Sequence, residues 1–263
     1  MESLDFNAMT ELYDETRIFD RRCFDSAVDY MVNRYPPRLY PRLLEPGIGT
    51  GRIAIPLAER GYQVWGVDIA GEMLIVLQKN MAHSGKPLPI YAIQADVLEL
   101  PFRNGEFDII IVAHLFYFIQ QWQKAVNEIL RIIKPGNPLI LMHTGSGTEV
   151  PFLNTRYKEL CAGQGYVVPD IGVKSTKEVA EYAAGLGCKV ESIRDRWQWT
   201  SRLRLDQAFY YLKARAYSFT TFAPDDVHTI AMDNLENQLK SQFSSLETEI
   251  EVPNRIYIIV ITR

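Results

Sequence analysis

The sequence predicts a doubly wound α/β protein built on a mostly parallel sheet, and three observations predict it. From about Arg42 to His143, short β-like runs alternate with stretches of helical periodicity. Most of those runs are apolar on both sides, as strands covered by helices on both faces tend to be. A glycine-rich turn, Glu45-Pro46-Gly47-Ile48-Gly49-Thr50-Gly51, stands where the first strand should hand over to the first helix.

Taken in order, Phe24, Ala27, Val28 and Met31 mark one face of a helix that ends before Pro36-Pro37. Leu43-Leu44, Val64 to Val67, Ile90 to Ile93, Phe107 to Ala113 and Leu139 to Met142 read as successive strands. Between them Met73, Val76, Leu77 and Met81 keep helical spacing. Trp122, Ala125, Val126, Ile129, Leu130 and Ile133 keep it more clearly, and Lys134-Pro135-Gly136 stops that helix. Such alternation implies right-handed crossovers. Further on, Ser175-Thr176-Lys177-Glu178 has the form of a capping box opening a helix through Ala184. Lys189 to Trp199 reads as a strand, Leu203 to Tyr217 and Pro224 to Phe243 as helices, and Arg255 to Thr262 as a final strand. There is no internal repeat, low-complexity stretch or long linker, so a single domain over 1–263 is expected. It divides into an N-terminal helical segment (1–38), a core (39–145) and a C-terminal half (146–263) whose helical additions form a cap.

The composition narrows the class. With 263 residues, 47% hydrophobic and 23% charged, the chain can bury a substantial core. The longest apolar run, near Ile109 to Ile119, falls short of the ~18 residues of a membrane span. Met1-Glu2-Ser3-Leu4-Asp5 lacks the basic and apolar parts of a secretion signal. The three scattered cysteines (Cys23, Cys161, Cys188) fit neither a disulfide framework nor a paired metal motif. A cytoplasmic protein with no metal and no membrane partner is expected. The net charge of -4 argues against broad attraction to nucleic acid. Arg194, Arg196, Arg202 and Arg204 cluster, but Glu191, Asp195 and Asp206 interleave with them, which reads as a solvated surface.

The chemistry is carried by the glycine-rich turn. Glycine there permits positive φ and lets a ligand approach the backbone. A structural turn is one reading; a dinucleotide site is another. Gly47 and Gly49 match the first two glycines of G-x-G-x-x-G, but position 52 is Arg, and Gly51 gives G-x-G-x-G instead. Glu45 would repel a pyrophosphate, whereas it would attract an ammonium group through bound water. A ligand with a cation and no phosphate fits, and S-adenosylmethionine is such a ligand. A second acid, Asp68, ends the second strand, where its two oxygens suit the vicinal hydroxyls of a ribose or, alternatively, cap the helix at Gly71-Glu72-Met73. A third, Asp96, ends the third strand in Gln94-Ala95-Asp96-Val97. It would accept from the exocyclic amine of adenine, with the Val97 amide facing a ring nitrogen, or serve as a turn residue.

From Leu43 to Leu141 the chain resembles the class I S-adenosylmethionine-dependent methyltransferase family, in particular its small-molecule group. The residues that carry the resemblance are LLEPGIGTGR, VDIAGEML, QADV, LPFRNGEFD and EILRIIKPG, in that order. Together they cover about two-fifths of the chain. The resemblance implies a seven-stranded sheet whose last strand, Arg255 to Thr262, runs antiparallel. It further implies S-adenosylmethionine as cofactor and S-adenosylhomocysteine as product. The loop at Glu45, Gly47, Gly49 and Gly51 would hold the methionine part, Asp68 the ribose and Asp96 the adenine. Ile69, Met73, Val97, Ala113 and His114 complete the cofactor-contacting set. Asn137 departs from the family, which often has a second glycine after Lys-Pro-Gly. Tyr13-Asp14-Glu15-Thr16-Arg17 resembles a lid segment in which Tyr13 and Arg17 contact the cofactor; a solvated helix start is the alternative.

His114 and His143 end the fourth and fifth strands, so each is a candidate general base, or else a hydrogen-bonded wall residue. The segment from Trp197 to Phe222 is rich in aromatics (Trp199, Phe209, Tyr210, Tyr211, Tyr217 and Phe219 among them), which reads as an acceptor cap or as plain helix-packing core. The expected function is methyl transfer to an oxygen, nitrogen or carbon atom of a small molecule. The alternative is a catalytically silent cofactor-binding module or regulatory partner.

Overall fold

The computed structural model describes Leu12 and residues 14–17, 19–145 and 147–263. Its seven strands are β1 (Arg42–Pro46), β2 (Gln63–Asp68), β3 (Ile90–Gln94), β4 (Ile109–Ala113), β5 (Pro138–Thr144), β6 (Lys189–Arg204) and β7 (Glu249–Thr262). They form one sheet in the order β3-β2-β1-β4-β5-β7-β6. The pairs β1–β2, β1–β4, β2–β3 and β4–β5 are parallel, and β7 runs antiparallel to β5. This is the doubly wound arrangement expected. Leu43 and Leu44 on β1 and Ile109 to Val112 on β4 are buried on both faces, which is why these strands read as unbroken apolar runs. β3, at the sheet edge, is exposed over most of its length. The strand order reverses between β1 and β4, so the crevice at their carboxyl ends is the place where an open α/β sheet receives a ligand.

Contacts within the chain divide it into two compact units. One unit holds Arg21–Thr144, Ile171–Trp197 and Arg255–Arg263, with most of the sheet. Its helix α1 (Arg21–Arg34) buries Phe24, Ala27, Val28 and Met31, the four residues that mark its apolar face in the sequence. The helices α2 (Ala54–Glu59) and α3 (Gly71–His83) follow β1 and β2. Helix α4 (Trp122–Ile132) buries Ala125, Val126, Ile129, Leu130 and Ile132. It ends ahead of Gly136, whose φ is +80°. Asn137, the departure from the family pattern, has a local use: its side-chain amide donates to the Asp108 carbonyl at 2.9 Å.

The second unit comprises residues up to Asp20 together with Gly145–Asp170 and Gln198–Asn254. It contains α5 (Pro151–Ala162), α7 (Leu205–Lys213), α8 (Ser218–Thr221) and α9 (Asp225–Gln242); the helix α6 (Thr176–Gly185), opened by the expected capping box, belongs to the first unit. Helix α5 was not anticipated, although Pro151 at its first turn and the buried spacing Leu153, Tyr157, Cys161 are legible once it is known. The helix expected over 203–217 differs at both ends. β6 continues to Arg204, and the helix breaks after Lys213 because Arg215 adopts φ +55°. The Arg215 guanidinium holds that turn by donating to the carbonyls of Thr220 and Ala223 at 2.6 and 2.8 Å and pairing with Asp225.

Most of the aromatic-rich segment is core of this unit: Phe209, Tyr211 and Tyr217 are buried with Leu153, Tyr157 and Met232. Tyr210 is the exception, 55% exposed beside a Tyr211 that is 5% exposed. Tyr211→Ala is therefore expected to lower the unfolding free energy by about 3–5 kcal/mol, and Tyr210→Ala to change it by no more than about 0.5 kcal/mol. Urea denaturation of the two variants checks this; equal losses would contradict the burial assignment.

Candidate active site

Glu45 lies near the end of β1, the strand at which the order reverses, and is 3% exposed. Its Oε2 is buried without a hydrogen-bond partner. Burial holds its carboxyl well above the usual carboxylate range, with the nearby Asp68 adding to the rise and the Ala54 amide opposing it. The turn that follows uses positive φ at Gly47 (+72°), Gly49 (+52°) and Gly51 (+87°). A Cβ on Gly51 would meet Leu77 Cδ1 at 2.4 Å, whereas one on Gly49 would meet only the Gly47 carbonyl oxygen at 4.0 Å. Gly51 is thus a packing glycine, and Gly49 faces open space.

Four of the turn's amides are engaged within the protein. Gly47 and Ile48 donate to the Val67 carbonyl at 2.7 and 3.0 Å, and Gly51 to that of Ile48 at 3.0 Å. Gly49 donates to Asp68 Oδ2 at 2.8 Å. The resemblance implies that the loop holds a methionine moiety; these four N–H groups already have partners within the protein. A pyrophosphate, which needs free N–H donors, is poorly served by such a turn.

Asp68 does not cap the helix, whose N-cap is Ala70; its side chain holds the turn that leads into it. Its Oδ1 accepts from the Ala70 amide at 3.0 Å and its Oδ2 from the Gly49 amide, and the Ile69 amide also bonds the carboxylate. Burial pushes its carboxyl up against the opposing Ala70, Gly49 and Ile69 amides. Ile69, next in the chain, is 50% exposed, an apolar surface at the strand tip. Met73 is 3% exposed and packs inward. Asp96 is exposed, with Oδ1 accepting from the Leu98 amide at 2.9 Å, and Val97 is buried. Glu45, Asp68 and Asp96 all end strands on the carboxyl side of the sheet, so the structure does bring the three acids to one edge.

Ala113 closes β4, and His114 follows with φ +55°, a strained conformation for a residue with a side chain. The Thr144 amide donates to His114 Nε2 at 3.2 Å, and Thr144 Oγ1 lies 2.8 Å from the same nitrogen. Both contacts engage Nε2 with Thr144, as acceptor from its amide or as donor to its hydroxyl according to the tautomer. His143 stacks on Tyr257 at 4.5 Å and 17°. Burial first, and then the charges of Arg255 and Arg194, push its pKa down to about 4. Arg17 belongs to the other unit, where it bridges Gly147 and its guanidinium donates to Thr16 Oγ1 at 2.8 Å. Tyr13 lies outside the described residues. Sequence reasoning missed the ring-and-arginine cluster of Tyr257, Arg194 and Arg255 around His143, because the strands that carry it are far apart in the chain.

The strand order, with its reversal between β1 and β4, defines a Rossmann-like α/β fold. Residues 44–141 match the methyltransferase domain family. A demethylmenaquinone methyltransferase of Thermus thermophilus is 34% identical over 125 residues, which is 47% of this chain and 54% of that one. The match thus spans about half the length of that relative. Among solved structures, the YcgJ protein of Bacillus subtilis superposes with a TM-score of 0.59 at 19% identity, covering 90% of this chain and 98% of the other. The [4+2]-cyclase SpnF superposes with a TM-score of 0.55 at 16% identity over 94% and 84% of the two chains. Over residues 44–141 the chain is similar to methyltransferases. Among the described residues, no helix is long and apolar enough to cross a membrane.

Proposed function

We propose that this protein transfers the methyl group of S-adenosylmethionine to a small-molecule acceptor, and that its two units form one methyltransferase domain. The observation that carries the reading is the buried, partnerless Oε2 of Glu45 beside a glycine turn whose amides are already engaged. That site asks for a cation, and the ammonium of the cofactor supplies one. Asp68 would receive a ribose hydroxyl on its remaining acceptor capacity, Ile69 would underlie the adenine, and Asp96 with the Val97 amide would meet the adenine edge. Bound there, the cofactor would supply an electrophilic methyl on sulfur to an acceptor lone pair, the carbon–sulfur pair remaining on sulfur.

Neither histidine is well suited to carry the acceptor's proton away. His114 Nε2 is already engaged by Thr144, and the His143 ring, with a pKa of about 4, holds a proton poorly at neutral pH. Both are better read as wall and positioning groups, with alignment and desolvation doing most of the catalysis. The likeness to a [4+2]-cyclase favours one alternative, that this fold serves a function other than methyl transfer. Incubation with methyl-labelled cofactor and a panel of hydroxyl, amine and carbon acids separates the two: labelled product supports transfer, and cofactor binding with no labelled product from any acceptor supports the alternative.

Asp68→Ala is expected to weaken S-adenosylhomocysteine binding by about 1–3 kcal/mol and also to lower stability, because the Gly49 and Ala70 amides lose their acceptor. Calorimetric titration of the folded variant checks the first part. Unchanged affinity would reduce Asp68 to a turn residue.

A further inference from the structure

A row of rings ending in a guanidinium crosses four strands in their spatial order, all within the first unit. His114 after β4 and His143 on β5 have ring centroids 5.2 Å apart. His143 stacks on Tyr257 of β7, and the Arg194 guanidinium of β6 sits 5.0 Å from the Tyr257 centroid. Each step is close to the ~4.8 Å spacing of neighbouring strands. Tyr257 pairs directly with His143 in the antiparallel register, and its hydroxyl lies 3.0 Å from Thr176 Oγ1. Arg255 is two residues before Tyr257 on the same strand, so strand alternation puts it on the same face.

The row has cations and no counter-charge. Among the described residues, neither Arg194 nor Arg255 makes an ion pair, although the neighbouring Arg202 and Arg204 pair with Glu251, Asp206 and Glu247. Asp195 follows Arg194 on β6 and so alternates to the opposite face. Beside these two arginines, His143 Nδ1 is buried with no hydrogen-bond partner. The interleaved acids that make this basic cluster read as a solvated surface neutralise only its far end.

We propose that Arg194 and Arg255, beside His143 and Tyr257, anchor an anionic oxygen group of the methyl acceptor, a carboxylate or a phosphate. This deepens the methyl-transfer reading and rests on it. The anion is an anchor and not the methylated atom. His114 adjoins the crevice between β1 and β4, and the arginine end of the row lies two to three strand spacings away, about 10–14 Å. The acceptor therefore carries its nucleophilic atom about that far from its charge.

The test uses simple anions as probes. Sodium phosphate and sodium acetate are titrated separately, at neutral pH and ionic strength held constant with chloride, into the protein with and without S-adenosylhomocysteine. The ring resonances of His143 and Tyr257 are followed by NMR. A saturable shift with at least one anion is expected, weakened at least about tenfold in Arg194→Gln and in Arg255→Gln. Saturation by phosphate alone identifies a phosphate ester, by acetate alone a carboxylate, and by both a site for either. A non-saturating response to both anions, or saturation that survives both substitutions, overturns the proposal. S-adenosylhomocysteine affinity, measured by calorimetry on the same samples, reports on the methyl-transfer reading separately, since the anion response is also read without it.

Discussion

Glu45→Gln is expected to weaken S-adenosylhomocysteine binding by about 10- to 100-fold while leaving the cofactor-free protein at least as stable as the wild type. The two effects have opposite signs because the same burial serves only one state. Without a ligand, the carboxylate is buried with an unpaired oxygen and another acid nearby. With the cofactor ammonium present, it gains the opposite charge. Because its folded pKa is raised, the folded protein keeps a proton that the unfolded chain releases from about pH 4.5 upward. Stability contributed by this group is therefore full below that range and lost as pH rises toward the folded pKa. Ligand affinity should strengthen across the same window as the carboxylate ionises. Glu45→Gln removes both slopes. Thermal melts and titrations at about pH 5 and about pH 8 check this; a variant less stable than wild type at the higher pH would contradict it.

Gly172→Ala should be the most destabilising small substitution in the first unit, at about 3 kcal/mol or more. An added Cβ would stand 1.9 Å from the Phe116 carbonyl oxygen and 2.9 Å from the Tyr117 carbonyl carbon. Both are backbone atoms, so no side-chain rotation relieves the clash. The close approach exists because Gly172 and Val173 donate to the Tyr117 and Phe116 carbonyls, each at 3.1 Å. Phe116 and Tyr117 follow His114 by two and three residues, so displacing them should also reduce cofactor affinity. Gly185→Ala is the control: its Cβ would meet nothing within 4 Å, and the helical position should gain up to about 1 kcal/mol. Chemical denaturation of both variants decides the matter, and equal stabilities would refute the packing argument.

The sheet was legible because each of its signals is local. Buried parallel strands are apolar on both faces, and the stripe on α4 follows a single period. The three acids and the glycine turn could be aligned because each ends its own strand. What stayed hidden depends on pairs distant in sequence or on unusual backbone. Nothing in Ala214-Arg215-Ala216 announces the positive φ that breaks the helix expected over 203–217. The engagement of the turn's amides required knowing that Val67 and Asp68 lie beside Gly47 to Gly49. The ring row from His114 to Arg194 required the order β4-β5-β7-β6, in which the last two strands are reversed relative to the chain. The aromatic segment shows the same limit on one helix: composition cannot tell a buried Tyr211 from an exposed Tyr210.

The central claim is that the acidic, amide-engaged turn selects a cationic, phosphate-free cofactor. Parallel calorimetric titration of the wild-type protein with S-adenosylmethionine, S-adenosylhomocysteine and NAD tests it most directly. Saturable binding of the first two, with no heat of binding from NAD, is the predicted result. Binding of NAD with neither of the others would contradict the account.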